Sequence, residues 1–182
     1  MSTMYAALLR GVNVSGHRRV PMAELRSLLG DLGHEDVATY LQSGNAVFRA
    51  VAGDENTLAA ALERAVEERF GFPVDCLVRS AAYLADVADA CPFPAAELEP
   101  KQLHVTYFDK PVDAARFATL DPEAFRPEEF RLGERALYLY APDGLGRSKL
   151  AVALGRPALN RDLVATSRNW NTVVRLVEMT RD

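Results

Sequence analysis

The chain has 182 residues, 49% of them apolar and 25% charged. That is the ordinary globular balance, which excludes disordered and fibrous classes and leaves room for one well-filled domain or two small ones. A net charge of −4 excludes nucleic-acid binding spread over the whole surface; such binding needs a local basic patch.

Residual function classes narrow further. Cys76 and Cys91 lie in no metal-ligand or redox spacing, and His17, His34 and His104 form no H-x-x-x-H pair, so no metal site is expected. No cofactor is expected either. The opening stretch MSTMYAALLR lacks the basic start and the length of a signal peptide, and no segment approaches a membrane span. The expectation is a cytoplasmic protein with reduced thiols.

In chain order, Met4 to Leu9 is a short apolar run that reads as a buried strand. A loop with Gly11 and Gly16 leads to Pro21, suited to a helix start. Met22, Leu25, Leu28, Leu29 and Leu32 then repeat at helical spacing, with Gly33 as a stop. Val37 to Leu41 and Ala46 to Val51 flank Gln42-Ser43-Gly44-Asn45 as a hairpin. Asp54 or Asn56 caps a second helix carrying Leu58, Leu62, Ala65, Val66 and Phe70, closed by Gly71. Pro73 to Val78 is a fourth strand.

Ser80 caps a short helix with Tyr83, Leu84, Val87 and Ala88, and Cys91-Pro92-Phe93-Pro94 breaks into an acidic linker ending at Lys101. The order then repeats. Leu103 to Phe108 alternates as a strand, and Pro111 opens a helix with Ala114, Phe117 and Leu120. Glu129 to Leu132 and Ala136 to Tyr140 flank Gly133-Glu134, a pair suited to a type II′ turn. A loop with Gly144 and Gly146 enters a helix from Ser148 to Leu154. Leu163 to Thr166 is a weak strand, and Asn169 caps a final helix with Trp170, Val173, Val174 and Val177 on one face. The fold class expected is α+β: two tandem ferredoxin-like βαββαβ halves with a C-terminal helix. Residues 1–79 form the first half, 80–101 a helix and linker, and 102–182 the second half with its C-terminal helix.

The blocks LLRGVNVSGHRRVPMAELRSLLGDLG and TYLQSGNAVF, with RSKL and SRNWNTVVRL near the C-terminus, resemble a bacterial family, domain of unknown function 1697. The resemblance spans nearly the whole chain. It implies a two-lobed α+β protein without assigned activity and supplies no catalytic residues.

Four segments carry chemistry-bearing residues. Arg10 to Arg19 lies between a strand and a helix, where backbone N–H groups and the helix dipole hold anions. Arg10, His17, Arg18 and Arg19 add four cationic side chains in ten residues, with Asn13 among them. Its glycines are five apart, so it is no dinucleotide fingerprint. Asp143 to Lys149 also joins a strand to a helix, but Lys149 follows Ser148, which breaks the Walker pattern and leaves Ser148 as an N-cap. In Ser167 to Thr172, Asn169 reads as a cap and Trp170 as a core anchor, leaving Arg168 and Asn171 as polar neighbours. Gln42 to Asn45 is explained by turn chemistry, and Ser43 lacks the strained elbow of a hydrolase nucleophile.

Taking the first and third strands of each half as parallel neighbours, the Arg10–Arg19 and Gly144–Lys149 loops meet only if the halves align their equivalent ends. The Gln42 turn and the Ser167 segment then fall at the opposite ends. The leading reading is a module binding a small anionic or phosphorylated ligand through Arg10, Asn13, His17, Arg18 and Arg19, with Ser148, Lys149, Arg168 and Asn169 as further candidates. The alternatives are weak nucleic-acid binding through the same patch and a metal-independent enzyme using His17, for which no orienting carboxylate is evident. The chain is read as a monomer or homodimer without a membrane partner.

Overall fold

The structure, a computed structural model, describes residues 1–181. It is a mixed α+β protein with two four-stranded antiparallel sheets. The chain divides into two compact units: residues 1–85 with the C-terminal stretch from Arg175, and Asp86–Val174. The boundaries fall inside two helices, α3 (Ala81–Asp89) and α5 (Trp170–Met179).

The first unit contains β1 (Ser2–Leu9), α1 (Met22–Asp31), β2 (Glu35–Tyr40), β3 (Asn45–Val51), α2 (Glu55–Phe70) and β4 (Cys76–Ser80). Its sheet order is β2-β3-β1-β4. Along β1, Tyr5, Ala7 and Leu9 point to one face, as the two-residue period of a strand requires. They join Phe48 of β3, Leu25, Leu28 and Leu29 of α1, and Leu62 and Val66 of α2 in one core. The intervening Met4, Ala6 and Leu8 are buried as well, so both faces of this sheet are covered. Asp54 caps α2 by accepting from the Thr57 N–H at 2.9 Å, and Gly71 ends it at φ +82°. Ser80 caps α3 through the Tyr83 N–H.

The second unit contains β5 (Leu103–Phe108), β6 (Glu129–Gly133), β7 (Ala136–Tyr140), α4 (Lys149–Leu154) and β8 (Ala165–Asn169), in sheet order β6-β7-β5-β8. Phe108, Leu137, Leu139 and Phe117 pack with Leu150 and Ala153 of α4. The helix expected after Pro111 is absent. Two short 3-10 turns, Ala114–Phe117 and Pro122–Phe125, stand there instead. Asp113 and Asp121 start them by accepting from the Ala115 and Glu123 N–H groups. Pro122 disfavours helical geometry at Asp121, so the apolar run ahead of it is too short to propagate.

Strand direction corrects one expectation. β1 and β3 are neighbours but antiparallel, with Leu8 opposite Asn45, and β5 and β7 likewise, with Leu103 opposite Tyr140. The Gln42 turn therefore lies at the same end of its sheet as the loop leaving β1. In the second unit, Asn169 pairs with His104 at the end where the loop leaves β7. The Arg10–Arg19 and Gly144–Lys149 loops thus occupy non-equivalent ends of their respective units. The hairpin turn of β6 and β7 is Glu134-Arg135, with Arg135 at φ +49°, rather than Gly133-Glu134. Gly133 serves packing instead: a Cβ there would lie 2.8 Å from the Tyr138 ring.

Candidate anion site

The loop between β1 and α1 is a small hairpin anchored at both ends. Val12 and Val20 are fully buried in the first core, and the residues from Val14 to Arg19 are exposed. Within it the Asn13 N–H donates to the Arg18 carbonyl (3.1 Å) and the His17 N–H to the Val14 carbonyl (3.0 Å). Ser15 and Gly16 form the tip at φ +53° and +76°, the pairing a two-residue hairpin turn demands.

Asn13 closes the neck. Its Oδ1 accepts from the Val20 N–H at 2.9 Å, while its Nδ2 donates to the carbonyls of Val20 (2.9 Å) and Gln42 (2.5 Å). The Gln42 turn is shaped to meet it. Gly44 stands at φ +89°, its carbonyl accepts from the Leu9 N–H, and a Cβ there would lie 2.8 Å from both Leu9 and Val12 side chains. The fully buried Asn45 amide donates to the Tyr40 carbonyl and the Ser43 hydroxyl. Two segments 29 residues apart in sequence thus make one structure. The turn residues alone betray nothing of this; the signal was the strand direction.

A cleft of about 690 Å³ opens beside the hairpin, lined by Gly16, Arg19, Gln42 and Arg26 together with the start of α1. Pro21 precedes that helix and offers no side-chain cap. The first helical bond runs from the Leu25 N–H to the Pro21 carbonyl, so the N–H groups of Met22 and Ala23, two residues that line the cleft, have no helical partner. Arg19 has no side-chain partner there either, and Arg26 gives one bond, Nη1 to Thr39 Oγ1 at 2.6 Å. Glu24 is the acidic residue of the first turn.

The other sequence-derived candidates separate. Arg10 is half-exposed and faces Asp75 at 3.4 Å. His17 and Arg18 are exposed on the hairpin, and the His17 side chain makes no hydrogen bond among the described residues. Asn13 has its amide engaged at the neck and acts as a strut. Sequence reasoning missed Arg26, whose helical spacing gave no hint that it turns back toward the loop.

In the second unit Ser148 is buried, caps α4 by accepting from the Ala151 N–H at 2.9 Å, and donates to the Glu128 carboxylate. Lys149 is exposed beside it. Arg168 is buried on β8, donating to Thr166 Oγ1 at 2.7 Å and the Ser167 carbonyl at 2.9 Å, and burial lowers its pKa to about 10. Asn169 Oδ1 accepts from the Thr172 N–H, the N-cap bond expected of it. Burial pushes the Cys76 and Cys91 thiols up, which leaves them poor nucleophiles. Among the described residues no cluster of three or more His, Cys, Asp or Glu could hold a metal ion, and no helix is long and apolar enough to cross a membrane.

Fold and site together define an α+β protein of two four-stranded antiparallel sheets with a structured basic loop between its first strand and helix. The chain belongs to the family described as "Protein of unknown function (DUF1697)", whose model matches residues 1–138. The matched span holds the LLRGVNVSGHRRV and LQSGNAVF blocks; the RSKL and SRNWNTVVRL blocks lie beyond it. No curated protein matches the chain. Among solved structures it is similar to a conserved bacterial protein, SP0830, from Streptococcus pneumoniae, with 23% identity over 100% of both chains and a TM-score of 0.79. At that identity the likeness speaks for the fold.

Proposed function

We propose that the protein binds a small anionic or phosphorylated ligand in the cleft between the Arg10–Arg19 hairpin and the start of α1. The observation that carries the reading is the convergence of Arg19 and Arg26 on a cleft also lined by Met22 and Ala23, the first residues of α1, whose N–H groups have no helical partner. Guanidinium groups and helix N-terminal amides donate in complementary geometry to tetrahedral oxyanions. Arg18 and His17 add positive potential at the rim. Each half is read as a ferredoxin-like unit, which the strand order supports, and the two free cysteines accord with a cytoplasmic home.

The test is thermal unfolding of the full chain in inorganic phosphate, pyrophosphate and nucleotides. At ten times its Kd a ligand adds about 1.4 kcal/mol, which moves Tm by roughly 3–6 °C in a chain this size. Arg19→Ala and Arg26→Ala should each abolish the shift. If phosphate, nucleotides and polyanions all leave Tm unchanged at millimolar concentration, the reading fails.

A second reading rests on the exposed hairpin tip: weak nucleic-acid binding by Arg10, Arg18 and Arg19. It predicts affinity for a single strand that falls steeply with salt, while flat affinity from low to physiological salt excludes it.

A further inference from the structure

We infer that the second unit carries a separate site for a small amphiphile: an apolar body ending in an anionic group. Leu120, Phe125, Phe130 and Leu150 belong to the core of that unit, and a hollow of about 310 Å³ opens among them. A more polar hollow of about 260 Å³ adjoins it, lined by Arg147 and Lys149. Phe125, Arg126 and Glu128 line both, so one short segment forms the shared wall.

Charge assigns the occupant's two ends. Arg147 and Lys149 have no ion-pair or side-chain hydrogen-bond partner among the described residues. The acids around them are mostly engaged: Glu128 accepts from the Ser148 hydroxyl, Glu129 faces Arg131 at 3.2 Å, and Glu123 holds Arg126 at 2.9 Å. Exposed Asp143 is the remaining carboxylate of the polar hollow. The start of α4 adds nothing here, since Ser148 already caps it. Two unpaired cations beside an apolar opening therefore suit a carboxylate or phosphate whose hydrocarbon part enters between Phe125 and Leu150.

Size selects a small molecule over a protein. The apolar hollow lies at the low end of the roughly 300–1,000 Å³ typical of ligand sites. A protein partner would bury about 800 Å² on each side, far more than this opening presents. The proposal is independent of the cleft in the first unit.

The experiment titrates the ¹⁵N-labelled full chain with octanoate, octyl phosphate, 1-octanol and acetate, following backbone amide shifts. Octanoate or octyl phosphate should saturably move amides of 120–131 and 147–151, and bind about tenfold tighter than 1-octanol, the gain of one charge-assisted contact. Whichever anionic head binds tighter identifies the preferred head group, and either order supports the site. Acetate should bind weakly or not at all. In Arg147→Glu/Lys149→Glu the anions should fall to the level of 1-octanol, with 1-octanol itself unaffected. Both residues are exposed, so amide dispersion should persist; Arg147→Gln provides a milder second variant with a smaller loss. Equal affinity for octanoate and 1-octanol overturns the proposal. So does unchanged octanoate binding in the charge-reversed chain, or unsaturable shifts scattered over the surface. Phosphate-induced shifts near residues 13–26 should survive in that variant, which separates failure here from failure of the first-unit reading.

Discussion

The side chain of Asn13 and the main chain of Val20 form a closed pair, the amide oxygen accepting from the Val20 N–H and the amide nitrogen donating to the Val20 carbonyl, both at 2.9 Å. An asparagine here mimics one rung of an antiparallel ladder, and its second N–H reaches across to Gln42. No other side chain of this size offers a donor pair and an acceptor in one plane.

Replacing Asn13 tests the neck directly. Asn13→Ala removes three hydrogen bonds, and a net worth of about 0.5–1.5 kcal/mol for each places the loss at roughly 1.5–4.5 kcal/mol. Asn13→Asp keeps the acceptor but turns a carboxylate oxygen toward two carbonyls, so it should cost at least as much. Urea unfolding at neutral pH measures both; a loss below about 0.5 kcal/mol would show that the neck does not depend on the amide.

Two glycines separate backbone strain from steric clash. Gly11 and Gly44 both hold positive φ, +67° and +89°, but a Cβ on Gly11 meets nothing within 4 Å. Gly11→Ala should therefore cost about 1–2 kcal/mol, the left-handed penalty alone. Gly44→Ala adds the clash with Leu9 and Val12, raising the expected loss to roughly 3 kcal/mol or more. Equal losses in urea unfolding would mean that the turn can move away from β1.

A double-mutant cycle probes the second sheet. The Tyr138 hydroxyl donates to the Val87 carbonyl at 2.6 Å, which holds the ring over Gly133. Gly133→Ala should destabilise by about 1–3 kcal/mol through overpacking. In a Tyr138→Phe background the ring is untethered and the same change should cost less. Additivity within about 0.3–0.5 kcal/mol would uncouple the two positions.

A half-buried and a buried imidazole set an acid limit on stability. His34 stacks on Phe48 at 4.4 Å, His104 lies on β5 with its Nδ1 unpartnered among the described residues, and burial lowers both pKa values below the ordinary 6.5. The folded state prefers both rings neutral, so their contribution is complete above about pH 6.5 and is lost as pH falls from there toward the folded values. The urea midpoint should drop between pH 7.5 and 5.5, and His104→Leu with His34→Phe should flatten that drop. Glu63 acts with the opposite sign: burial raises its pKa, against the lowering effect of the Cys76 N–H bond, so its cost appears as pH rises above 4.5.

The elements that rest on local chemistry were legible in the sequence. Asp54, Ser80, Ser148 and Asn169 cap helices where turn-forming side chains stand ahead of apolar periodicity. What escaped was decided by distant partners. The polar run Thr166-Ser167-Arg168-Asn169 is a strand because β5 pairs with it, with Arg168 opposite Val105. Ala114 and Phe117 had helical spacing, yet Pro122 stops a helix from paying its nucleation cost. At the candidate site the basic loop was visible, whereas its tie to Gln42 and its neighbour Arg26 follow only from the antiparallel pairing of β1 and β3.

The neck at Asn13 also divides this loop into positions with different freedom to change. Stability resides in Val12, Asn13, Val20 and Gly44, while Val14 to Arg19 contribute little to folding and stand in solvent. Selection can therefore rewrite the tip without endangering the scaffold. A library randomised at residues 14, 17 and 19, with the turn residues Ser15 and Gly16 kept, should yield mostly folded chains, making this hairpin a natural graft point for new sequences.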